Sequence, residues 1–285
     1  MQEITKYLSL VKFSHTVFAL PFALVGYFLG IVSQGNIFDW KIFVLVLMCM
    51  VFARSAAMSF NRLVDVRYDK KNPRTASREI PSGKISMNAA VIFVIVSALL
   101  FIVTTFFINS LVFFLSPVAL LVIFGYSFTK RFTSLCHFIL GLGLSLAPIG
   151  AYLSVTSHFD LLPILFSVVV LLWVGGFDII YALQDDEFDK SQKLHSVPVT
   201  LGRKNALLLS LIVHVVAVVI IVFIGIYFPF SWLYWVGAII FTGMLFYEHT
   251  IIKPGDLSRV NMAFALINGI AGLLFGAIVI ASLFL

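Results

Sequence analysis

Charge is scarce in this sequence: only 11% of its 285 residues are charged, whereas 61% are hydrophobic. An ordinary soluble domain carries about 25% charged residues, so this composition excludes a water-soluble globule. It also excludes a disordered chain, which requires low hydrophobicity and high net charge. Cysteine is nearly absent, and the two cysteines, Cys49 and Cys136, lie in or beside apolar runs, which excludes a secreted disulfide scaffold. The remaining class is a protein that lies mostly within a lipid bilayer.

Long apolar runs occupy most of the chain. A membrane-spanning helix needs about 20 mostly apolar residues, and lipid offers no partner to free backbone groups, so we expect an all-α integral membrane protein. Nine segments are long and apolar enough, and we predict nine transmembrane helices in one domain that covers residues 1–285. The predicted spans are residues 15–33, 41–60, 88–108, 110–128, 135–155, 161–182, 205–228, 231–249 and 261–284.

The basic residues lie almost entirely in alternate loops. Lys and Arg outnumber Asp and Glu by 19 to 13. In a chain this apolar, the excess indicates membrane orientation rather than nucleic-acid binding. One face of the predicted bundle has Lys41 as its only basic residue, so the positive-inside rule places the other face in the cytoplasm. We therefore predict a cytoplasmic N-terminus and, with nine spans, a C-terminus on the opposite side.

The acidic residues concentrate in two cytoplasmic loops, 61–87 and 183–204, which follow the second and sixth predicted spans. In the first loop, Asn61, Asp65 and Asp69 are spaced i, i+4 and i+8. On a helix, this spacing places three oxygen-bearing side chains on one face.

The second loop repeats the pattern, since Asp185 and Asp189 are again four residues apart. Each cluster also has an ionisable residue deeper in the preceding apolar span, seven residues before it: Arg54 in the first case and Asp178 in the second.

Paired carboxylates on one helix face repel each other and call for a cation. Mg²⁺ fits, because it takes one or two carboxylates together with substrate phosphates. A solvated acidic loop is the alternative for either cluster taken alone, and two clusters with matching spacing weaken that alternative. Basic residues that could bind a phosphate group stand nearby in sequence: Arg67, Arg74, Arg78, Lys130 and Arg131.

A charge inside an apolar span costs about 2.5–3.5 kcal/mol on insertion scales, so Arg54 and Asp178 must face a cavity or a partner. They could pair with each other and tie the bundle together. Alternatively, Arg54 receives an anionic part of a substrate and Asp178 orients a hydroxyl or takes a proton. His137 and His214 have no second His or Cys at convincing ligand spacing, so we interpret both as packing residues.

The two acidic clusters carry a specific resemblance. Asn61-x3-Asp65-x3-Asp69 resembles the first aspartate motif of the UbiA superfamily of membrane prenyltransferases, and Asp185-x3-Asp189 resembles the second. Arg62 is a departure, because the family often has Asp beside the Asn.

Further segments support the resemblance, which covers nearly the whole chain. Asp178-x2-Tyr181 precedes the second motif, Pro73-Arg74 follows the first, and Tyr126 precedes Lys130-Arg131. The chain is most similar to the bacterial 4-hydroxybenzoate polyprenyltransferase-like branch, which implies a location in the inner membrane and a helix bundle around a central cavity that opens to the cytoplasm.

The resemblance implies Mg²⁺-dependent transfer of a polyprenyl group from its diphosphate to a ring carbon of a carboxylated phenol, in quinone biosynthesis. Asn61, Asp65, Asp69, Asp185 and Asp189 would hold Mg²⁺, with Asp65 and Asp185 essential for catalysis, and the five basic residues would neutralise the diphosphate. Arg54 would bind the acceptor carboxylate. Asp178, with Tyr126 or Tyr181, would orient or deprotonate the acceptor phenol.

Two alternatives remain at this point. Within the same class, the acceptor could be a dihydroxynaphthoate of menaquinone biosynthesis, because both acceptors are carboxylated phenols and an arginine does not distinguish them. In another class, the chain could be a cation transporter with acidic vestibules. A transporter would show acidic residues midway along several spans, whereas the acids here lie mostly at one face beside Arg and Lys.

Overall fold

The computed structural model describes residues 2–11 and 18–285, with side chains from Lys6 onward. Within these residues, all regular structure is helical apart from one isolated bridge between Lys253 and Asp256. This confirms the predicted all-α class. The chain divides into two compact units: residues 1–16 with 40–129 form unit 1, and residues 17–39 with 130–285 form unit 2.

Unit 1 consists of three long helices and two short ones. Ser86 caps the second long helix by accepting a hydrogen bond from the backbone N–H of Ala89 at 3.2 Å. The first long helix packs against the other two. The helices are α1 (Gln2–Leu10), α3 (Trp40–Val64), α4 (Val66–Asp69), α5 (Met87–Phe106) and α6 (Ser110–Thr129).

Unit 2 contains the remaining α-helices, one 3₁₀ turn, which is wound more tightly than an α-helix, and one π-helical segment, which is wound more loosely. A 3₁₀ turn covers Leu183–Asp185, and a π-helical segment covers Ala263–Ile267. The α-helices are α2 (Leu20–Ser33), α7 (Cys136–Thr156), α8 (Leu161–Ala182), α9 (Asp186–Ser191), α10 (Val197–Tyr227), α11 (Trp232–Ile251), α12 (Val260–Met262) and α13 (Asn268–Ser282).

The core of unit 2 is aromatic and forms around α8. The fully buried Trp173 has its ring centroid 5.3 Å from that of Phe22 in α2, 5.3 Å from Phe177 and 5.5 Å from Phe241 in α11. Its indole N–H donates to Asn268 Oδ1 in α13 at 2.8 Å, as a buried donor requires. One tryptophan therefore joins four helices of this unit.

Seven helices of the described chain are long and apolar enough to cross a membrane. Large apolar side chains are exposed along them, such as Phe114 at 73% and Leu121 at 72%, as expected where lipid replaces water. The chain is thus a multi-pass membrane protein. The eighth predicted span corresponds to α11, and the first to the shorter α2, although residues 15–17 of that prediction lie outside the described residues. The count of nine crossings stays a prediction.

Two boundaries differ from the sequence prediction. The second span, predicted to end at residue 60, continues as α3 to Val64, so Asn61 lies in a helix rather than in a loop. The seventh span starts earlier, because α10 includes a short helical segment before a kink at Gly202. Gly202 has φ of 76°, which glycine adopts without the cost that a Cβ would bring.

Two glycines of α7 lie in different surroundings. A Cβ added to Gly141 would lie 2.3 Å from the backbone oxygen of Leu171 in α8, whereas one added to Gly150 would meet nothing within 4 Å.

We expect Gly141→Ala to lower the stability of the protein by about 1–3 kcal/mol, because overpacking outweighs the gain of about 1 kcal/mol in helix propensity. Gly150→Ala, in the same helix, is the matched control and should leave stability unchanged or slightly raised. Thermal unfolding in detergent measures both. Equal melting temperatures for the two variants would contradict the packing described here.

Candidate active site

In unit 1 the first acidic cluster begins in the last turn of α3 and ends with α4. Backbone hydrogen bonds run from Asp65 N to Asn61 O at 3.0 Å and from Asp69 N to Asp65 O at 2.8 Å. The helical hydrogen-bond spacing therefore persists through the break at Asp65, and the i, i+4, i+8 relation survives it. Asn61 Nδ2 donates to Asp65 Oδ2 at 3.1 Å. The amide oxygen of Asn61 does not take part in this bond and could serve as a metal ligand.

Asp69 is the most buried acid of this cluster, with 6% of its surface exposed. Arg78 donates to its Oδ1 at 2.7 Å. Its other oxygen, Oδ2, is buried and accepts no hydrogen bond within the described part of the chain. A buried carboxylate oxygen without a donor is costly unless a cation satisfies it.

Arg62 contributes a cation that the sequence analysis did not assign. Its guanidinium is buried at 4% exposure and interacts electrostatically with Asp69, Glu79 and Arg78. From the sequence, Arg62 is only a departure from the family pattern. Arg62 and Asp69 are seven residues apart, a spacing that places both on one face of a helix, and this spacing could have identified Arg62 as a neighbour of Asp69.

Unit 1 contains four more predicted site residues, which are less buried than Asp69. Arg54 lies half-buried in α3, ten residues before Val64, and Tyr126 lies half-buried near the end of α6. Arg67 and Arg74 are exposed, and the backbone N–H of Arg74 donates to Asn72 Oδ1 at 2.9 Å. Exposed guanidinium groups at this position are able to reach a ligand outside the helices.

In unit 2 the second acidic cluster spans the 3₁₀ turn and α9. Asp185 and Asp189 are both buried, and Lys130 Nζ lies 2.7 Å from Asp189 Oδ2. Burial acts to lower the pKa of Lys130, but the charge and hydrogen bond of Asp189, with the charge of Asp185, outweigh it and raise that pKa above its usual value. Lys130 therefore stays positively charged beside the two carboxylates.

The neighbouring acid Asp186 has a different role. Two nitrogens of Arg203 bind it in a bidentate ion pair: Nε lies 2.6 Å from Oδ2 and Nη2 lies 2.9 Å from Oδ1. The sequence left open which neighbour assists Asp185. Because its two oxygens are already occupied by Arg203, Asp186 is a structural anchor between α9 and α10.

Asp178 of α8 is bound by His137 of α7. The backbone N–H of Val197 donates to His137 Nε2 at 3.2 Å, so Nδ1 carries the proton and donates to Asp178 Oδ2 at 2.7 Å. The interpretation of His137 as a packing residue is therefore wrong: it supplies the partner that a carboxylate within a membrane span requires. No sequence spacing indicated this pair, because the two residues are 41 positions apart.

Two further predicted residues lie in unit 2. The ring of Tyr181, one turn after Asp178, packs on Phe264 with centroids 4.2 Å apart. Arg131 is exposed next to Lys130. An aromatic pair beside a carboxylate offers an apolar surface on which a planar ring could rest.

The donor chemistry of both clusters fits Mg²⁺. All candidate ligands are carboxylate or amide oxygens, which hard cations prefer, and no described residue donates a hydrogen bond to the buried Oδ2 of Asp69. We infer that Asn61, Asp65, Asp69, Asp185 and Asp189 are the residues that could hold the metal.

The class of molecule is thus a helical membrane protein with two acidic helix ends, each accompanied by Arg or Lys. Residues 19–279 match the UbiA prenyltransferase family, and the chain belongs to that family. Among curated relatives, the 4-hydroxybenzoate octaprenyltransferase of Aliivibrio fischeri strain MJ11 is 30% identical over 240 residues, which cover 84% of this chain and 83% of the relative.

Solved structures share the fold. A UbiA homolog from Aeropyrum pernix K1 in its apo form has a TM-score of 0.84 and 29% identity, and the match covers 94% of this chain and 97% of the other. A UbiA homolog from Archaeoglobus fulgidus bound to GPP and Mg²⁺ has a TM-score of 0.73 and 21% identity, with 97% and 99% covered. The all-helical architecture is therefore that of the family.

The His137–Asp178 pair can be tested by a double-mutant cycle. We expect His137→Phe to destabilise the protein by about 1–3 kcal/mol, because it leaves Asp178 Oδ2 without its donor. Asp178→Asn should cost less, because the amide oxygen still accepts but the bond is no longer charge-assisted. The double variant should lose less than the sum, with a coupling energy of about 0.5–3 kcal/mol. Thermal or denaturant unfolding in detergent measures the cycle.

His158→Phe is the control for this cycle, because His158 is exposed, its hydrogen bonds go to Thr156, and a phenyl ring can keep its edge-on contact with Tyr152. Strict additivity of His137→Phe and Asp178→Asn would show that the two side chains do not interact.

Proposed function

We propose that this protein transfers a polyprenyl group from polyprenyl diphosphate to a ring carbon of 4-hydroxybenzoate, in quinone biosynthesis. The observation that carries the proposal is the pair of buried acidic clusters, each beside a cation, in a member of a prenyltransferase family. The relative from Aliivibrio fischeri bears that activity in its name, and its match extends over most of both chains. Neither dihydroxynaphthoate nor cation transport is favoured by that relative.

The oxygen-bearing side chains of the two acidic clusters are the proposed metal ligands. Asn61, Asp65 and Asp69 in unit 1, and Asp185 and Asp189 in unit 2, are proposed to bind Mg²⁺ that accompanies the diphosphate. When bound, the metal supplies positive charge that makes diphosphate a better leaving group. A protein of the same fold binds GPP and Mg²⁺, so the fold accommodates both.

The basic side chains are proposed to neutralise the diphosphate oxygens that the metal leaves uncovered. Arg78 and Lys130 are held in place by Asp69 and Asp189, whereas Arg67, Arg74 and Arg131 are exposed. The first pair is preorganised by its carboxylate partners, and the exposed arginines are proposed to move onto the diphosphate after it binds. Together they lower the barrier to breaking the allylic C–O bond, whose electron pair leaves with the diphosphate.

The acceptor reacts through a ring carbon. Its electron pair forms the new bond to the allylic carbon, and the ring then loses the proton from that carbon. Arg54 is proposed to bind the acceptor carboxylate, and Asp178 to accept the phenol hydrogen bond or take the proton. The hydrogen bond from His137 Nδ1 occupies one oxygen of Asp178 and leaves the other for the acceptor. Tyr126 or Tyr181 assists Asp178 in orienting the phenol.

The surroundings keep water from the allylic cation. Of the 43 aromatic residues that the chain contains, 30 are Phe, and ring faces stabilise a cation while excluding water. Most of these phenylalanines contact lipid or the core, and Phe264 beside Tyr181 is the candidate for a contact with substrate.

The proposal also includes the orientation of the chain. We propose one catalytic domain over residues 1–285, nine crossings of the bacterial inner membrane, a cytoplasmic N-terminus, and a cavity that opens to the cytoplasm, where the soluble acceptor and Mg²⁺ are available. The concentration of Lys and Arg in alternate loops supports this orientation.

The test is an acceptor screen with purified protein, Mg²⁺ and one polyprenyl diphosphate, with product mass as the readout. We expect prenylated 4-hydroxybenzoate, and we expect Asp65→Asn or Asp185→Asn to lower kcat by about 100-fold or more, because each removes a metal ligand. Asp186→Asn is the matched control, since Arg203 already binds that acid, and it should retain activity within about tenfold. Product from dihydroxynaphthoate alone would overturn the acceptor assignment.

A second prediction concerns Arg54. We expect Arg54→Ala to raise KM for 4-hydroxybenzoate by about tenfold or more, which corresponds to loss of a charge-assisted hydrogen bond, with KM for the prenyl diphosphate nearly unchanged. Steady-state kinetics with each substrate varied in turn measures the difference. An equal loss for both substrates would make Arg54 a structural residue.

A further inference from the structure

A second ligand-like cluster lies in unit 2, on helices that carry neither aspartate motif. His214 of α10 meets Glu248 and His249 at the end of α11. Within the described part of the chain, this is the one group of three His, Cys, Asp or Glu side chains whose ligand atoms all lie within 4.8 Å of one another. The proposed prenyl transfer does not use it. The sequence spacing offered no second His as a partner for His214, and the structure supplies one, His249, with its Nε2 2.9 Å from His214 Nδ1.

The distances in the cluster are short. His214 Nδ1 lies 2.9 Å from His249 Nε2 and 3.2 Å from Glu248 Oε1. Ligand atoms around a tetrahedral Zn²⁺ stand about 3.4 Å apart, since each lies about 2.1 Å from the metal. Small side-chain adjustments would therefore bring the three atoms to coordination distance of one ion.

The proton position on His214 is fixed by the backbone. His214 Nε2 lies 3.1 Å from the carbonyl oxygen of Trp173, which can only accept, so Nε2 carries the proton. The lone pair of His214 therefore resides on Nδ1 and points toward the other two side chains. The ring packs closely against Gly176, where an added Cβ would lie 2.3 Å from Nε2.

Glu248 is oriented by a chain of hydrogen bonds. Trp173 Nε1 can only donate, and it donates to Asn268 Oδ1 at 2.8 Å, so the amide of Asn268 must present Nδ2 to Glu248 Oε2, at 2.5 Å. The remaining oxygen, Oε1, is fully buried and accepts no hydrogen bond from a described residue. Such outer partners commonly hold metal-binding histidines and carboxylates in place.

While His214 is neutral, a single shared proton does not satisfy all three atoms. A proton between His249 Nε2 and His214 Nδ1 leaves Glu248 Oε1 facing a lone pair at 3.2 Å, in a buried place where repulsion is poorly screened. A second proton, on Nδ1, would let the ring donate to Glu248 Oε1 but would create an imidazolium at a buried position, where charge is costly. A divalent cation accepts all three electron pairs at once. Two imidazoles and one carboxylate form the set that Zn²⁺ takes when it keeps one open position.

We propose that His214, Glu248 and His249 form a binding site for Zn²⁺ or a similar transition-metal cation, distinct from the acidic clusters, and that the metal links α10 to α11. Imidazole nitrogens favour Zn²⁺ over Mg²⁺, whose sites are built from oxygen. His249 is half-buried, whereas the other two ligands are buried, so the ion enters from the side of His249.

The site can be tested on the full-length protein in detergent. The protein is stripped with a chelator, exposed to Zn²⁺ in the presence of excess Mg²⁺ to occupy the oxygen sites, and passed through gel filtration. We expect about one retained Zn²⁺ per chain by elemental analysis. Co²⁺ in place of Zn²⁺ should give the visible absorption of a tetrahedral site with imidazole ligands. Less than a tenth of an equivalent, or only octahedral Co²⁺, would overturn the proposal.

Variants then identify the ligands. His249→Gln should lose the retained Zn²⁺, whereas His158→Gln, an exposed histidine elsewhere, and Asp65→Asn, in the first acidic cluster, should keep it. Loss of Zn²⁺ in Asp65→Asn and not in His249→Gln would place the ion at the acidic cluster and would falsify the proposal.

Glu248→Gln distinguishes a metal site from a proton-sharing network, and it does not depend on prenyl transfer. Zn²⁺ should raise the melting temperature of the stripped wild-type protein by about 3 °C or more, through binding to the folded state only, and should not raise that of the variant. If Zn²⁺ has no effect on the wild type and Glu248→Gln is as stable or more stable, the cluster is a neutral hydrogen-bonded network and not a metal site.

Discussion

The need to give every buried charge a partner governs this protein. With 11% charged residues in an apolar chain, an unpaired ion within a span is too costly to persist. The structure pairs Asp69 with Arg78, Asp189 with Lys130, and Asp178 with His137, each at 2.7 Å. His137 gives Asp178 its partner inside a span, and the other two pairs hold, at the ends of helices, the carboxylates that are proposed to bind metal.

The helices and the acidic clusters were predictable from the sequence, because both are local patterns. Apolar length predicts a span, and spacing of four residues predicts a shared helix face. The pairs were not predictable, since His137 lies 41 positions from Asp178 and His214 lies 35 from His249. Spacing indicates nothing about residues on different helices, and for this reason neither histidine had a partner in the sequence prediction. The extension of α3 to Val64 was missed because polar residues at its end resemble a loop.

The two histidines show how a backbone contact selects the role of an imidazole. In His137, the N–H of Val197 takes the lone pair of Nε2, and the ring becomes a donor to a carboxylate. In His214, the carbonyl oxygen of Trp173 accepts a hydrogen bond from Nε2–H, and the ring presents the lone pair of Nδ1. A histidine thus donates a hydrogen bond to a carboxylate in one place and offers a lone pair to a proposed cation in another. The neighbouring main-chain atoms determine which ring nitrogen carries the proton.

The packing of α2 has a consequence for how the chain is made. α2 packs on α7 and α13, and Phe22 lies 6.0 Å, centroid to centroid, from Phe275. These residues are about 250 positions apart, which the ribosome covers in roughly 12–50 s at usual rates of synthesis. During that interval α2, whose 14 residues make it shorter than a full span, lacks its contact with α13. Biogenesis of this unit is therefore completed from the C-terminus, when α13 closes against one of the first helices to be synthesised.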